Sequence, residues 1–421
     1  MAKKKSSFGT FDPSAITQGA LAKLGSDEAI LCGVPVPSLA MQYLLNSTVL
    51  PVGRIMEVYG EPGAGKSTFL YELMRWFLEA GGYCYLGETE QKDSTSLRRA
   101  VFAYDFNKLE RVIAKYDTSF EGWTHSLQDA ITYFDDAYNQ VGPVFPVLYG
   151  IDAVTSVETE SSIEDYSDKG EIKTGYARLA LHLAKFLRTL PAMYCKKPYM
   201  LVFLNHVKKD TSGGYGPKNI LPGGSALYYG SHLILELSST APRVYANKTV
   251  KYVTIKIAKN GVQKQGESFI VPMEYWTMPD PLNPEQRLQQ VMYDWYSADI
   301  KFLLDYMNNS ELGLEKRKAV KAILDLNKGT GKEACVWSEA LGIPEMEPLS
   351  LHEAGKVLHN NKEVMRKLQG YFITTDSIAF TAGTDYNSLL EKASQEQRDR
   401  YRAISDALYK QITKEELNKE E

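Results

Sequence analysis

Cysteine is scarce: Cys32, Cys84, Cys195 and Cys335 are the only four in 421 residues. They lie far apart and form no CxxC pair, which argues against a disulfide framework or zinc module and fits a reducing compartment. Long apolar runs are missing, none approaching the ~18 residues of a membrane span. The opening Met1-Ala2-Lys3-Lys4-Lys5 lacks the apolar stretch of a signal peptide. A soluble, cytoplasmic protein with no membrane partner is therefore expected. Neither sign of charge dominates: 48 Lys and Arg meet 52 Asp and Glu, a formal net of −4. Without a whole-chain basic field, any nucleic-acid site must be local. His125, His182, His232, His352 and His359 have no metal-ligand spacing with Cys or acids, so no metal site is assigned to them. There is no internal repeat and no low-complexity block.

What is present is an ordinary globular composition, 44% hydrophobic and 24% charged. At roughly 100–200 residues per domain the length suggests two or three domains. Residues 1–50 are a mixed opening, with helical spacing over Ala15–Leu24 and an irregular apolar stretch from Ile30 to Leu50. Residues 51–275 have an α/β texture. Arg54–Tyr59, Tyr83–Leu86, Val144–Ile151, Tyr199–Leu204, Leu233–Leu237 and Val250–Ala258 read as strands. Ser67 to about Ala80 and Tyr176–Leu190 read as helices. Such alternation implies a mainly parallel sheet covered on both faces. Beyond about residue 280 the chain becomes Lys/Glu/Leu-rich and helical in pattern, so 276–421 reads as a second, mainly helical domain. Lys414–Glu421 is expected to fray.

The strongest motif is Gly60-Glu61-Pro62-Gly63-Ala64-Gly65-Lys66-Ser67-Thr68, which satisfies G-x-x-x-x-G-K-[ST] at every fixed position. A strand precedes it and a helix follows. Successive backbone N–H groups must wrap phosphate oxygens, and glycine supplies the φ angles this needs. The new helix turns its partial positive end toward the same anion. Lys66 would reach the β- and γ-phosphates, and the Ser67 hydroxyl would hold Mg²⁺. Asp152 closes the apolar run Val144–Ile151, at the carboxyl edge where open α/β sheets bind ligands. It is the candidate acid for orienting the metal. Glu88 and Glu90 follow the strand Tyr83–Leu86 and point the same way if the chain stays extended. Either could polarise an attacking water, or both could belong to a solvated acidic loop.

Charge is polarised locally. From Lys196 to Lys264 there are eleven Lys and Arg against Asp210 and Glu236, a net of +9 that leaves the rest of the chain at −13. Such a cluster can bind phosphate backbones. Within it, Lys208–Ile220 is Gly-rich, with Lys208, Lys209 and Lys218 around the aromatic Tyr215. Cations plus an aromatic ring suit single-stranded nucleic acid, although a solvated surface loop is the bland alternative. Glu158–Lys173 is the reverse, six acids against Lys169 and Lys173. Arg178 and Arg188 could compensate, or could form local surface pairs. Trp76 and Cys84 read as core, and Tyr83, Tyr228 and Tyr229 as packing residues.

Together, Gly53–Gly60, the phosphate loop, Glu88-Thr89-Glu90, the Asp152 strand, Gly175-Tyr176-Ala177-Arg178, Leu204-Asn205-His206 and Gly223-Gly224-Ser225-Ala226-Leu227 resemble the RecA recombinases in order and spacing. Gly33–Leu45 is similar to that family's lead-in, and the resemblance spans about residues 28–275. It is closest to the phage UvsX-like branch, in carrying Asn205-His206 where bacterial members carry Asn-Gln. The resemblance implies a RecA-type core over 51–275, an N-terminal arm or oligomerisation segment over 1–50, and ATP with Mg²⁺ as cofactors. It implies ATP-dependent strand exchange by helical filaments of the chain itself on single-stranded DNA, paired with double-stranded DNA. Single-strand-binding and loading proteins are further candidate partners. By the same resemblance Glu90 would position the attacking water, Asp152 would be the Walker B acid, and His206 would sense the γ-phosphate. Lys259 would reach the phosphates of a neighbouring subunit. The loops after Asp152 and His206 would bind DNA, with Arg178, Lys208, Lys209, Tyr215 and Lys218 as contacts. Tyr228 and Gly261 stand where bacterial members tend to carry lysine. A ring helicase motor on the same fold, which predicts hexamers, is one alternative. A nucleotide-switched assembly protein without DNA-stimulated turnover is another.

Overall fold

The computed structural model describes residues 31–90, 110–154, 156–169, 175–194, 197–209, 219–221, 225–260, 266–280, 283–329, 334–393, 395–396 and 399. Residues 31–389 form one compact unit. It opens with β1 (Leu31–Pro35), α1 (Leu39–Leu45) and β2 (Val49–Pro51). Then come β3 (Arg54–Gly60), α2 (Lys66–Glu79), β4 (Tyr83–Glu88), β5 (Val112–Tyr116), α3 (Phe120–Val141) and β6 (Val147–Asp152). α4 (Glu160–Lys169), α5 (Gly175–Tyr194), β7 (Tyr199–His206), β8 (Lys208–Lys209), β9 (Asn219–Ile220) and α6 (Ala226–Gly230) follow. The sheet is completed by β10 (Leu233–Ser239), β11 (Arg243–Val244), β12 (Thr249–Asn260), β13 (Ser268–Asp280) and β14 (Asn283–Tyr293). The remainder is α7 (Trp295–Asn308), α8 (Leu314–Ile323), β15 (Asn327–Lys328), β16 (Cys335–Trp337), β17 (Leu349–Ser350), α9 (Leu351–Asn360), α10 (Lys362–Phe372) and β18 (Ser377–Ala379).

The main sheet has the order β14-β13-β12-β10-β3-β7-β6-β4-β5, with β11 on β12. Strands β10, β3, β7, β6, β4 and β5 pair in parallel, and β12, β13 and β14 extend the sheet antiparallel. The expected α/β class, mainly parallel with helices on both faces, is thus what the chain adopts. Alternation along β6 divides the two faces. Tyr149 and Ile151 join Trp123 of α3 and Leu183 and Phe186 of α5 in one core cluster. On the other face Gly150 lets α2 approach, since a Cβ there would lie 2.8 Å from a methyl carbon of Leu70. Each fully buried Leu or Phe contributes about 1.5–3 kcal/mol, which fixes α2, and with it the phosphate loop, against the sheet.

Three segments differ from the sequence expectation. The irregular stretch before residue 50 is ordered into β1, α1 and β2. Helix α1 is held at its N-terminus by Asp299 of α7, whose carboxylate accepts from Ser38 Oγ (2.6 Å), Leu39 N (2.8 Å) and Ala40 N (2.9 Å). The expected helical texture after 280 first gives way to β14, because pairing with β13 and burial of Gln290, Val291 and Tyr293 outweigh local propensity. Helix begins only at Trp295, capped by Asp294, which accepts from Ser297 N at 3.0 Å. Third, Glu158–Lys173 contains helix α4. Among the described residues no helix is long and apolar enough to cross a membrane.

Candidate active site

Parallel register brings the candidate residues to one edge. Gly60 at the end of β3 pairs with His206 of β7 and with Leu237 of β10. Glu88 of β4 pairs with Asp152 of β6. The strands that carry Gly60, Glu88, Asp152 and His206 therefore finish side by side at the carboxyl edge of the sheet, above the N-terminus of α2.

The loop between β3 and α2 has Gly63 at φ 76° and Gly65 at φ 97°, conformations that strain any residue with a Cβ. Glu61, Pro62 and Gly63 are exposed, Ala64 and Lys66 are buried, and Ser67 and Thr68 are half-buried. The Lys66 ammonium donates to the carbonyl oxygens of Gly60 (2.9 Å) and Glu61 (3.0 Å). Ser67 Oγ donates to Asp152 Oδ2 at 2.6 Å, joining the two candidate metal residues. These groups fit a triphosphate with Mg²⁺. The amides of a glycine loop and a helix N-terminus suit the anion. A hydroxyl beside one carboxylate suits an ion that takes its other ligands from phosphate and water.

Glu90 and His206 meet directly, Nε2 to Oε1 at 2.7 Å, and Ser156 Oγ donates to the same Glu90 oxygen. Glu88 is buried, and its Oε1 accepts the backbone N–H of Glu90 at 2.8 Å, so it supports the turn that presents Glu90. Thr89 Oγ1 donates to the Ala153 carbonyl at 2.8 Å and ties this turn to the end of β6. Beneath them, His206 N donates to Asn205 Oδ1 (2.9 Å) and Asn205 Nδ2 to Glu57 Oε1 (3.0 Å). Burial pushes the Glu57 carboxyl above its ordinary value, against the lowering by Asn205 and Lys259.

The chain has sequence relatives among the RecA proteins. The chain is 26% identical to Protein RecA of Delftia acidovorans over 249 residues, 58% of this chain and 63% of that one. It is 27% identical to Protein RecA of Anaplasma marginale over 267 residues, 61% and 68% of the two chains. Against Protein RecA of Bacillus subtilis it is 25% identical over 327 residues, 73% and 85%. The chain is thus similar to RecA proteins. These matches support a RecA-family protein with a RecA-type core. No family model matches the chain. The chain spans somewhat less than two thirds of the Delftia relative.

Other candidates lie away from the glycine loop. Through Ile234, Lys259 is level with Glu57, so it lies ~10 Å along β3 from Gly60 and two strands aside. Its ammonium donates to the Tyr228 carbonyl at 2.6 Å and stands 5.1 Å from the Tyr228 ring centroid. With Arg54 and His232 it lines a cavity of about 380 Å³ near the opposite, amino edge. His232 accepts from Ile55 N at 3.2 Å, and burial, Arg54 and Lys259 together depress its pKa. Tyr229 is 76% exposed and Tyr228 40%, so the packing role expected for this pair gives way to a surface one. Arg178 donates to Asp165 of α4 at 2.8 Å, a pair across two helices in place of a local i,i+4 pair. Lys208 and Lys209 lie on β8, which pairs with β9 directly after β7. Tyr215 and Lys218 lie outside the described residues.

Three residues at the loop were not legible beforehand. Lys251 Nζ (3.1 Å) and Ser239 Oγ (3.4 Å) donate to the Gly63 carbonyl. Tyr293 OH donates to the Gly65 carbonyl at 3.0 Å. Lys251 and Tyr293 lie on antiparallel strands far along the chain from the motif, and no local spacing marks them.

Proposed function

We propose that the chain is an ATP-dependent DNA strand-exchange protein that polymerises on single-stranded DNA and hydrolyses ATP in response to it. The observation that carries this is the Glu90–His206 contact at the edge shared with Lys66, Ser67 and Asp152. The Lys66 ammonium and the loop amides would bind the triphosphate, and Ser67 with Asp152 would hold Mg²⁺, whose charge would offset that of the phosphates. Glu90 orients the attacking water and accepts its proton. His206 stands between that carboxylate and β8, two residues on. A change at Glu90 can thus pass through one side chain into Lys208–Pro222, the proposed second DNA loop, with Lys209, Tyr215 and Lys218 as contacts. Arg178 serves the first.

Lys259, directed away from its own phosphate loop, fits a role at the site of a neighbouring protomer. ATP binding and filament growth then strengthen one another. Residues 1–50 include the arm for that contact, and the mainly helical C-terminal part begins at Trp295, after the sheet strand β14. The phage UvsX-like placement rests on Asn205-His206 alone, and single-strand-binding and loading proteins follow from the recombinase reading, as does a cytoplasmic location.

Electron microscopy with single-stranded DNA and a non-hydrolysable ATP analogue tests this directly. Open helical filaments are expected. Closed hexamers would favour a ring motor. Particles indifferent to DNA would favour a nucleotide-switched assembly protein.

A further inference from the structure

Gly65 is the N-cap of α2 and has φ 97°. Its carbonyl oxygen accepts two hydrogen bonds, one from Phe69 N at 2.8 Å and one from Tyr293 OH at 3.0 Å. The peptide unit is planar and trans, so the Lys66 N–H points opposite to this carbonyl. Whatever fixes the Gly65 oxygen on the outside of the loop also aims the Lys66 amide into the cradle. The Phe69 bond is the helix's own. The Tyr293 bond comes from the last residue of β14, at the far side of the sheet.

Tyr293 is built to hold that position. Its side chain is buried, and its ring lies 6.1 Å from Phe69 and 5.4 Å from Trp295. Its backbone N–H reaches Glu72 Oε1 of α2 at 3.4 Å, while Trp295 Nε1 reaches Glu72 Oε2 at 3.3 Å. The fit is close: a Cβ on Gly65 would come within 2.5 Å of the Tyr293 oxygen. Burial holds the phenol far above its ordinary pKa, so it remains a donor at any working pH.

We infer that Tyr293 is a positioning residue for the phosphate loop, acting through the Gly65–Lys66 peptide to pre-orient the Lys66 amide for the triphosphate. This rests on the reading of the loop as an ATP site. Preorganisation of this kind acts on nucleotide affinity, because without it the peptide plane must be ordered at the moment of binding.

The test is Tyr293→Phe, which keeps the ring and removes only the donor. ATP affinity in the presence of Mg²⁺ is measured by calorimetry, and unfolding temperature is measured with and without saturating ATP. The expected result is about threefold to tenfold weaker ATP binding, the range of a single intramolecular hydrogen bond. A smaller ATP-induced rise in unfolding temperature than in wild type should accompany it. Equal affinities would overturn the inference. So would a lower unfolding temperature with an undiminished ATP-induced rise, the mark of a purely structural residue. Wild-type protein that fails to bind ATP would remove the nucleotide reading, and this inference with it. Wild type that binds ATP no better than Tyr293→Phe removes this inference alone.

Discussion

Glu88 and Glu90 illustrate how two like residues, two positions apart, receive different work from their surroundings. Glu88 is spent on the backbone of its neighbour, and Glu90 is held beside His206 and Ser156 at the sheet edge. Glu90→Gln should keep ATP binding and lower turnover by a factor of 10² or more, the usual yield of a positioned general base. Glu88→Gln should cost several-fold less, and single-turnover kinetics of the two variants would show the order. The reverse order would transfer the water-positioning role to Glu88. A second residue-level outcome concerns Glu57. The unfolded chain ionises this carboxyl near the ordinary 4.5, whereas the folded one, with the group buried, does so at higher pH. Between those two values the folded state holds more protons, so stability falls as pH rises through the window. Glu57→Gln should remove that slope, making the variant more favoured relative to wild type at pH 7 than at pH 4. A constant stability difference across the range in urea titrations would contradict it.

At the scale of elements, legibility tracked how locally each one is determined. The phosphate loop and α2 were readable because glycine, lysine and an apolar helix face lie within twenty residues. The buried parallel strands β3, β6 and β7 were readable as short apolar runs, although β7 runs on and carries His206 to the edge. β14 is made of residues such as Glu285, Gln286 and Gln289 whose propensity favours helix. Only the β13 partner decides it, and that contact is invisible in a linear reading. The same holds for α1, whose order depends on Asp299, some 260 positions away. Asp299 also meets His359 Nε2 of α9 at 2.7 Å, so one carboxylate ties three helices together. Asp299→Ala would leave the Ser38, Leu39 and Ala40 donors without it and should cost roughly 3–5 kcal/mol in urea unfolding. Asp299→Asn, which retains one acceptor oxygen, should cost less. A loss below ~1 kcal/mol for the alanine variant would show that water replaces the carboxylate.

For the whole molecule, the decisive geometric relation is between Lys66 and Lys259. They lie toward opposite edges of one sheet, Lys66 folded over the Gly60 and Glu61 carbonyls and Lys259 over those of Tyr228 and Tyr229. A head-to-tail contact, in which the patch bearing Lys259 meets the next protomer's phosphate loop, generates an open helix when its rotation does not close. In that assembly each ATP junction draws Lys66 from one chain and Lys259 from another. Lys66→Ala and Lys259→Ala should therefore each abolish most DNA-stimulated hydrolysis when alone. Mixed in equal amounts before assembly, they should regain activity, because about one junction in four pairs an intact loop with an intact Lys259 in a random heterologous polymer. A double variant carrying both changes, mixed with wild type, controls for dilution, since it supplies neither half. Were Lys259 to act within its own chain, no mixed junction would be complete and the two inactive proteins would stay inactive together. Recovery near a quarter of the wild-type rate, growing with protein concentration as filaments lengthen, is the outcome that a shared site requires.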